Sequence, residues 1–210
     1  NHISQQLRSM DYWSEWKLLN ASDFGVSQLR PRVVLVALKT QYSKHFEWPE
    51  SGRGDPASVG EVLGDLMGKY GWPHTKEWIK KANRIAPTLV GGSKRHGGPD
   101  LGPTRSKKAW AELGVNGHLV AYDSPEKDFT GKPGFEKMPY LSLEMVARLQ
   151  GFPDEWQFFG KKTHVYRQIG NAFPPPVAKA VGDSLTKALL AQADNRVNLE
   201  EDNQDLAIAS

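Results

Sequence analysis

The segment Arg32-Val33-Val34-Leu35-Val36-Ala37-Leu38 constrains the fold more than any other part of the chain. It is almost purely apolar and rich in β-branched valine, without the polar alternation of a half-exposed strand. Such a run predicts a strand covered on both faces, as in an α/β sheet. A shorter strand is expected at Trp16-Lys17-Leu18-Leu19. Three helices accompany these strands. Ser58 can cap one reaching Met67, because Val59, Val62, Leu63 and Leu66 recur at helical spacing. Ser142 caps a second, Leu143–Gln150, which stops at Gly151 with Pro153 beyond. Pro174-Pro175-Pro176 leads a third, with Val177, Val181, Leu185 and Leu189 on one stripe.

The stretch Gly68–Pro139 has a different texture, with frequent Gly and Pro, short apolar runs and no convincing long helix. A brief helix at Trp78–Ala82 and strands at Ile85–Val90 and His118–Tyr122 are the elements it allows. It reads as a small subdomain of irregular β structure and loop. The charge pattern points the same way. Thr75–Lys108 holds nine Lys or Arg residues against Glu77 and Asp100, whereas the tail after Ala191 carries a net charge of −4. A cationic stretch of this kind suits a polyanion. The acidic tail 192–210 is expected to be disordered.

Several chemistries are excluded. The chain has no Cys, so it contains no disulfide, thiolate metal site or cysteine nucleophile. Its six His residues never fall three or four apart, and no metal site is expected. Neither a dinucleotide-binding nor a phosphate-loop glycine pattern is present. No apolar run approaches the roughly 20 residues that span a bilayer.

Three constellations remain. In Asp23-Phe24-Gly25-Val26-Ser27-Gln28-Leu29-Arg30-Pro31-Arg32, the side chains of Gln28, Arg30 and Arg32 alternate and so project to one side of an extended chain. These donors suit a carbonyl, a phosphate or a carboxylate. Ala147-Arg148-Leu149-Gln150-Gly151-Phe152-Pro153-Asp154-Glu155-Trp156 is a helix end followed by aromatic packing. Tyr166-Arg167-Gln168-Ile169-Gly170-Asn171-Ala172-Phe173-Pro174-Pro175-Pro176-Val177 places a Gly-Asn turn before a Pro-led helix, whose first backbone N–H groups can meet a ligand.

In order and spacing, the three resemble motifs VIII (G-V-P-Q-x-R-x-R), IX (A-R-L-Q-G-F-P-D) and X (R-Q-I-G-N-A-V-P-P-P-V-A) of the C-terminal half of DNA (cytosine-5)-methyltransferases. Ser27 and Phe173 replace the family's usual Pro and Val, and Glu144-Met145 stand where the family carries Arg-Glu. The resemblance implies an α/β fold. A partial Rossmann-like adenosylmethionine-dependent methyltransferase domain (1–67, with a returning helix at 166–191) would carry a target-recognition domain at 68–165. It implies methyl transfer from S-adenosylmethionine to carbon 5 of a cytosine flipped out of double-stranded DNA, typically within restriction-modification. Arg32 would hold the cytosine O2 while Arg30 and Gln28 support the pocket. Asn171, Ala172 and Phe173 would contact the cofactor. Arg84, Thr88, Lys94, Arg95 and Arg105 would contact DNA. The family's Pro-Cys nucleophile, Glu-Asn-Val motif and main cofactor loop are absent, so this chain alone is expected to be inactive. They are expected on an N-terminal catalytic portion, in the same protein or as a separate subunit, in a bacterial cytoplasm. Until that portion covers it, the chain is expected to expose a large apolar face. The alternative is a non-catalytic, sequence-specific DNA-binding module.

Overall fold

The computed structural model describes residues 2–52, 55–92 and 98–208, with side chains described as far as residue 192. The chain divides into two compact units. One comprises 1–19, 32–51 and 178–210; the other comprises 20–31 and 52–177. This division differs from the partition expected from sequence. Residues 52–67 and 166–177 belong with the expected recognition region rather than with the strand at 32–38.

The first unit is built on a two-stranded pair, β1 (Tyr12–Asn20) and β2 (Pro31–Lys39), with α1 (His2–Ser9) before it and α2 (Thr40–Ser43) after it. At the open end of the pair, both the backbone N–H and the hydroxyl of Thr40 donate to the Asp11 carbonyl. The expected strand is present, but it is not covered on both faces. Val36 and Leu38 are buried, whereas Val33 is 66% exposed and Leu18 on β1 is 64% exposed. Among the described residues β2 has one strand neighbour and no second layer over Val33. Trp13, Phe46 and Trp48 form an aromatic group, tilted between Trp13 and Phe46 and edge-on between Phe46 and Trp48, with Lys17 over the Trp48 ring. Most of α8 (Pro175–Ile208) belongs here as well. Its backbone continues through the tail expected to be disordered, because that tail is acidic but also rich in helix formers such as Ala, Leu, Gln and Glu.

The second unit has a continuous apolar core. α3 (Val59–Met67) and α6 (Leu143–Leu149) contribute Val59, Leu63, Met67, Met145, Val146 and Leu149, all fully buried. α3 begins with a complete capping box: the Ser58 hydroxyl accepts from the Glu61 N–H, and the Glu61 carboxylate accepts from the Ser58 N–H. α4 (Thr75–Lys81) packs on α3 at bare backbone, since a Cβ on Gly60 would sit 2.3 Å from the Ile79 carbonyl oxygen.

α5 (Thr104–Glu112) is an element that sequence patterning missed. It has no side-chain N-cap and follows a Gly- and Pro-rich stretch; what fixes it is tertiary, the fully buried indole of Trp110. The strands expected at 85–90 and 118–122 shrink to isolated parallel bridges, Gln28 with Ala86 and Ala121 with Ser142. A two-residue hairpin, β3 (Gly131–Lys132) with β4 (Phe135–Glu136), is the only named sheet among the described residues of this unit. α7 (Lys162–Asn171) replaces the expected Gly-Asn turn, for Gly170 and Asn171 form the last turn of a helix.

Arg148 braces α6 against α3. Its guanidinium donates to both oxygens of Asp65 (2.7 and 2.8 Å), to both oxygens of Asp154 (2.8 and 2.7 Å) and to the Val62 carbonyl. This bonding holds the Asp65 carboxyl below its ordinary value. A depressed carboxyl stabilises the fold above its ordinary value and loses that contribution as pH falls through the lower, folded value. Because the carboxylates are largely exposed, Arg148→Met should cost only about 1 kcal/mol at neutral pH. Urea unfolding of both proteins over a pH series should show that gap closing as pH drops below about 4; a gap independent of pH would refute the brace.

Candidate functional site

Four chain segments meet inside the second unit around two buried polar side chains. Residues 27–30 lie beside 84–89 through paired backbone bonds, Ala86 N–H to the Ser27 carbonyl (2.9 Å) and Leu29 N–H to the Ala86 carbonyl (2.8 Å). Gln28 is fully buried and Arg30 is 1% exposed. The Gln28 amide donates to the Leu149 carbonyl (3.2 Å) and to Gln150 Oε1 (2.8 Å) at the end of α6. Its own oxygen accepts from the Leu89 N–H (2.8 Å) and from Arg30 Nη1 (3.4 Å).

Arg30 extends the network to α7. Nη1 donates to the Leu89 carbonyl (2.7 Å), and Nη2 donates to the carbonyls of Gly170 (2.6 Å) and Ala172 (3.2 Å). The latter two are carbonyls at a helix end, which lack intrahelical partners and carry the negative end of the helix dipole. A permanently charged planar fork suits them better than a flexible ammonium would. Gln150, also fully buried, closes the circuit with a 3.0 Å bond to the Ala172 carbonyl. Sequence reasoning included Gln150 in a motif but gave it no role; nothing local marks it, since its partners are 22 and 122 residues away.

The other expected site residues fare differently. Gln28 and Arg30 do lie together, as alternation implied, but their polar groups are engaged with the protein's own backbone. Arg32 belongs to the first unit, on β2, with a partly buried side chain. Asn171 ends α7 and donates to the Gly92 carbonyl (3.2 Å). Ala172 contributes the carbonyl described above, and Phe173 is 36% exposed in the turn that follows.

Of the expected DNA contacts, Thr88 donates its hydroxyl to the Leu29 carbonyl. A hydroxyl has a single proton, so the phosphate donor expected there is engaged internally in this structure. Arg84 is exposed and paired with Glu112 at 3.0 Å. Arg105 lies in the first turn of α5, exposed, rather than in a loop. Lys94 and Arg95 lie outside the described residues. Lys76, Lys80, Lys81 and Lys108 are also exposed, so the cationic stretch is a surface feature. Among the described residues no cluster of His, Asp or Glu could hold a metal, and no helix is long and apolar enough to cross a membrane.

Comparison with known proteins supplies the class: a methyltransferase. The chain belongs to the C-5 cytosine-specific DNA methylase family, whose pattern it matches over residues 1–187. It is 53% identical over its whole length to the Type II methyltransferase M.NaeI of Lentzea aerocolonigenes, covering 48% of that protein. Over 90% of its length it is 49% identical to M.NgoMIV of Neisseria gonorrhoeae, covering 59%. The chain thus spans about half the length of these relatives. Among solved structures it resembles the Entamoeba histolytica methyltransferase EhMeth, with 14% identity, a TM-score of 0.53, and coverage of 90% of this chain and 57% of that one. That likeness concerns the fold.

Replacing Arg30 by Met keeps the length and removes the donors, leaving the buried carbonyls of Leu89 and Gly170 without it. Unsatisfied buried acceptors cost about 1–3 kcal/mol each. Arg30→Met should therefore lower unfolding stability by about 3 kcal/mol, whereas Arg105→Met, at an exposed position, should change it by less than about 0.5 kcal/mol. Denaturant titration of both variants checks the contrast.

Proposed function

We propose that this chain is the DNA-recognising and pocket-completing portion of a DNA (cytosine-5)-methyltransferase. It works with an N-terminal catalytic portion, in the same protein or as a separate subunit, that carries the nucleophilic cysteine and most of the cofactor site. The observation that carries the reading is the buried Gln28–Arg30–Gln150 network. It joins the three motif-like stretches into one frame, which a mere DNA-binding module has no need of. The exposed apolar surface of the first unit, including Trp16, Leu18 and Val33, supports it as well, because such a surface fits a chain that requires a covering portion.

In this reading Arg32 holds the O2 of a flipped cytosine. Attack of a thiolate on the ring pushes electron density onto that oxygen, and a fixed guanidinium stabilises the developing charge. Gln28 and Arg30 are positioning residues that hold the strand leading into Arg32. The exposed cations of α4 and α5, with Arg84, Lys94, Arg95 and Arg105, meet the double-stranded DNA, mostly at phosphates.

The turn after α7 fits a cofactor with a flat base. The exposed Phe173 ring offers an apolar surface and Asn171 is an exposed amide two residues before it, while the Ala172 carbonyl is already engaged. Bound there, S-adenosylmethionine would supply the methyl group; this chain's part is to enclose it. No residue of the chain can replace the thiolate.

The test is transfer of labelled methyl from S-adenosylmethionine to duplex DNA. The chain alone should give none, and the chain with its catalytic portion should give 5-methylcytosine. In that assembly Arg32→Ala should lower kcat by about 100-fold or more while DNA affinity changes little. Retained DNA binding without methyl transfer by the assembly would instead favour a non-catalytic reader, and unchanged kcat in Arg32→Ala would refute the pocket assignment.

A further inference from the structure

A groove of about 430 Å3 in the second unit has Leu29, Ile85, Ala109 and Leu113 in its wall, together with Arg84 and Glu112. The backbone that carries these residues is fixed. The Leu29 N–H donates to the Ala86 carbonyl at 2.8 Å, and the Val59 N–H at the start of α3 donates to the Arg84 carbonyl at 2.9 Å. The buried indole of Trp110 anchors α5, whose last residue is Glu112. The two charged side chains reach out from this base. Arg84 is 62% and Glu112 64% exposed, with Arg84 Nη2 3.0 Å from Glu112 Oε2. An exposed pair of this kind adds little to the stability of a fold.

Glu112 is the one acid of α5, which also carries Arg105, Lys107 and Lys108. On a surface that meets phosphates a carboxylate is repelled, unless it faces a donor. The donors that duplex DNA presents in its major groove are the amino groups of cytosine and adenine. We propose that Arg84 and Glu112 together read one G·C base pair: the guanidinium donates to guanine O6 and N7, and the carboxylate accepts from cytosine N4. The spacing suits this. Guanine O6 and cytosine N4 are hydrogen-bonded to each other and so lie about 2.9 Å apart, close to the separation of donor and acceptor on the protein. With adenine before Arg84, the guanidinium would face an amino group and the carboxylate would face thymine O4, and both contacts repel. With thymine before Arg84, the fork finds one acceptor where guanine offers two. This inference rests on the DNA-methyltransferase reading above and adds to it a carboxylate that works among the cations.

The test uses the assembly of this chain with its catalytic portion, expressed in a host lacking cytosine methylation, with the host genome read by bisulfite sequencing. The target sequence need not be chosen in advance, because the wild type defines its own motif. Glu112→Gln keeps an acceptor for cytosine N4 and adds a donor that thymine O4 can meet. Arg84→Gln exchanges a fork suited to guanine for an amide suited to adenine. In each variant, methylation of sites changed from G·C to A·T at one position should rise about fivefold or more relative to wild-type sites, and the position should be the same in both. The Tm of both should stay close to wild type. A loss spread evenly over all sites, with a shallower salt dependence of DNA affinity, would make Arg84 a phosphate contact and overturn the base reading. An unchanged motif in both variants, or relaxation at two different base pairs, would overturn it too. If the wild-type assembly deposits no 5-methylcytosine, the methyltransferase reading itself fails, and this inference falls with it.

Discussion

A guanidinium sealed inside a protein is costly unless its N–H groups find acceptors, and both terminal nitrogens of Arg30 donate to backbone carbonyls. The acceptors come from residues 59, 140 and 142 positions away in the chain. The requirement is thus mutual: the charge needs those carbonyls, and two of them lie at the end of α7, where helix geometry leaves carbonyls without partners. Gln28 and Gln150 complete the arrangement by satisfying one another and the neighbouring backbone. The result is a polar network inside an apolar unit that specifies a unique juxtaposition of four segments, which hydrophobic packing alone would leave less well defined.

That juxtaposition joins the three motif-like stretches in one frame. One segment precedes Arg32 in the chain, one runs to Gly92, and one ends α6 beside Arg148. The fourth forms the turn before α8. The exposed lysines and arginines of α4 and α5 add a positively charged surface.

Local signals in the sequence were sufficient for β2, α3 and α6, where β-branched runs and Ser caps carry their own instructions. They were insufficient for α5 and α7. α5 begins at Thr104, after Pro103 at the N-cap position, without a side-chain cap, and is held by Trp110, a tertiary anchor with no local signature. α7 ends in Gly170-Asn171, a pair that ordinarily marks a turn, and here Gly170 is needed because Gly91 lies against it. The apolar run at 32–38 was legible as a strand but not in its environment, since Val33 is open in this structure. As for the site, the resemblance to three family motifs brought Gln28, Arg30 and the 170–173 turn under one heading. Neither the bonds that unite them nor the place of Gln150 among them could be read, because each depends on partners far away in the chain.

The most direct measurement of the central claim is nitrogen-15 NMR of the arginine side chains, with the Arg30 signals assigned by loss in an Arg30→Lys variant. A guanidinium bonded to carbonyls on both nitrogens cannot rotate freely about its Cζ–Nε axis. Arg30 should therefore show separate Nη1 and Nη2 resonances with slowed hydrogen exchange, while exposed arginines such as Arg105 show averaged ones. A single averaged, rapidly exchanging Arg30 signal would contradict the account.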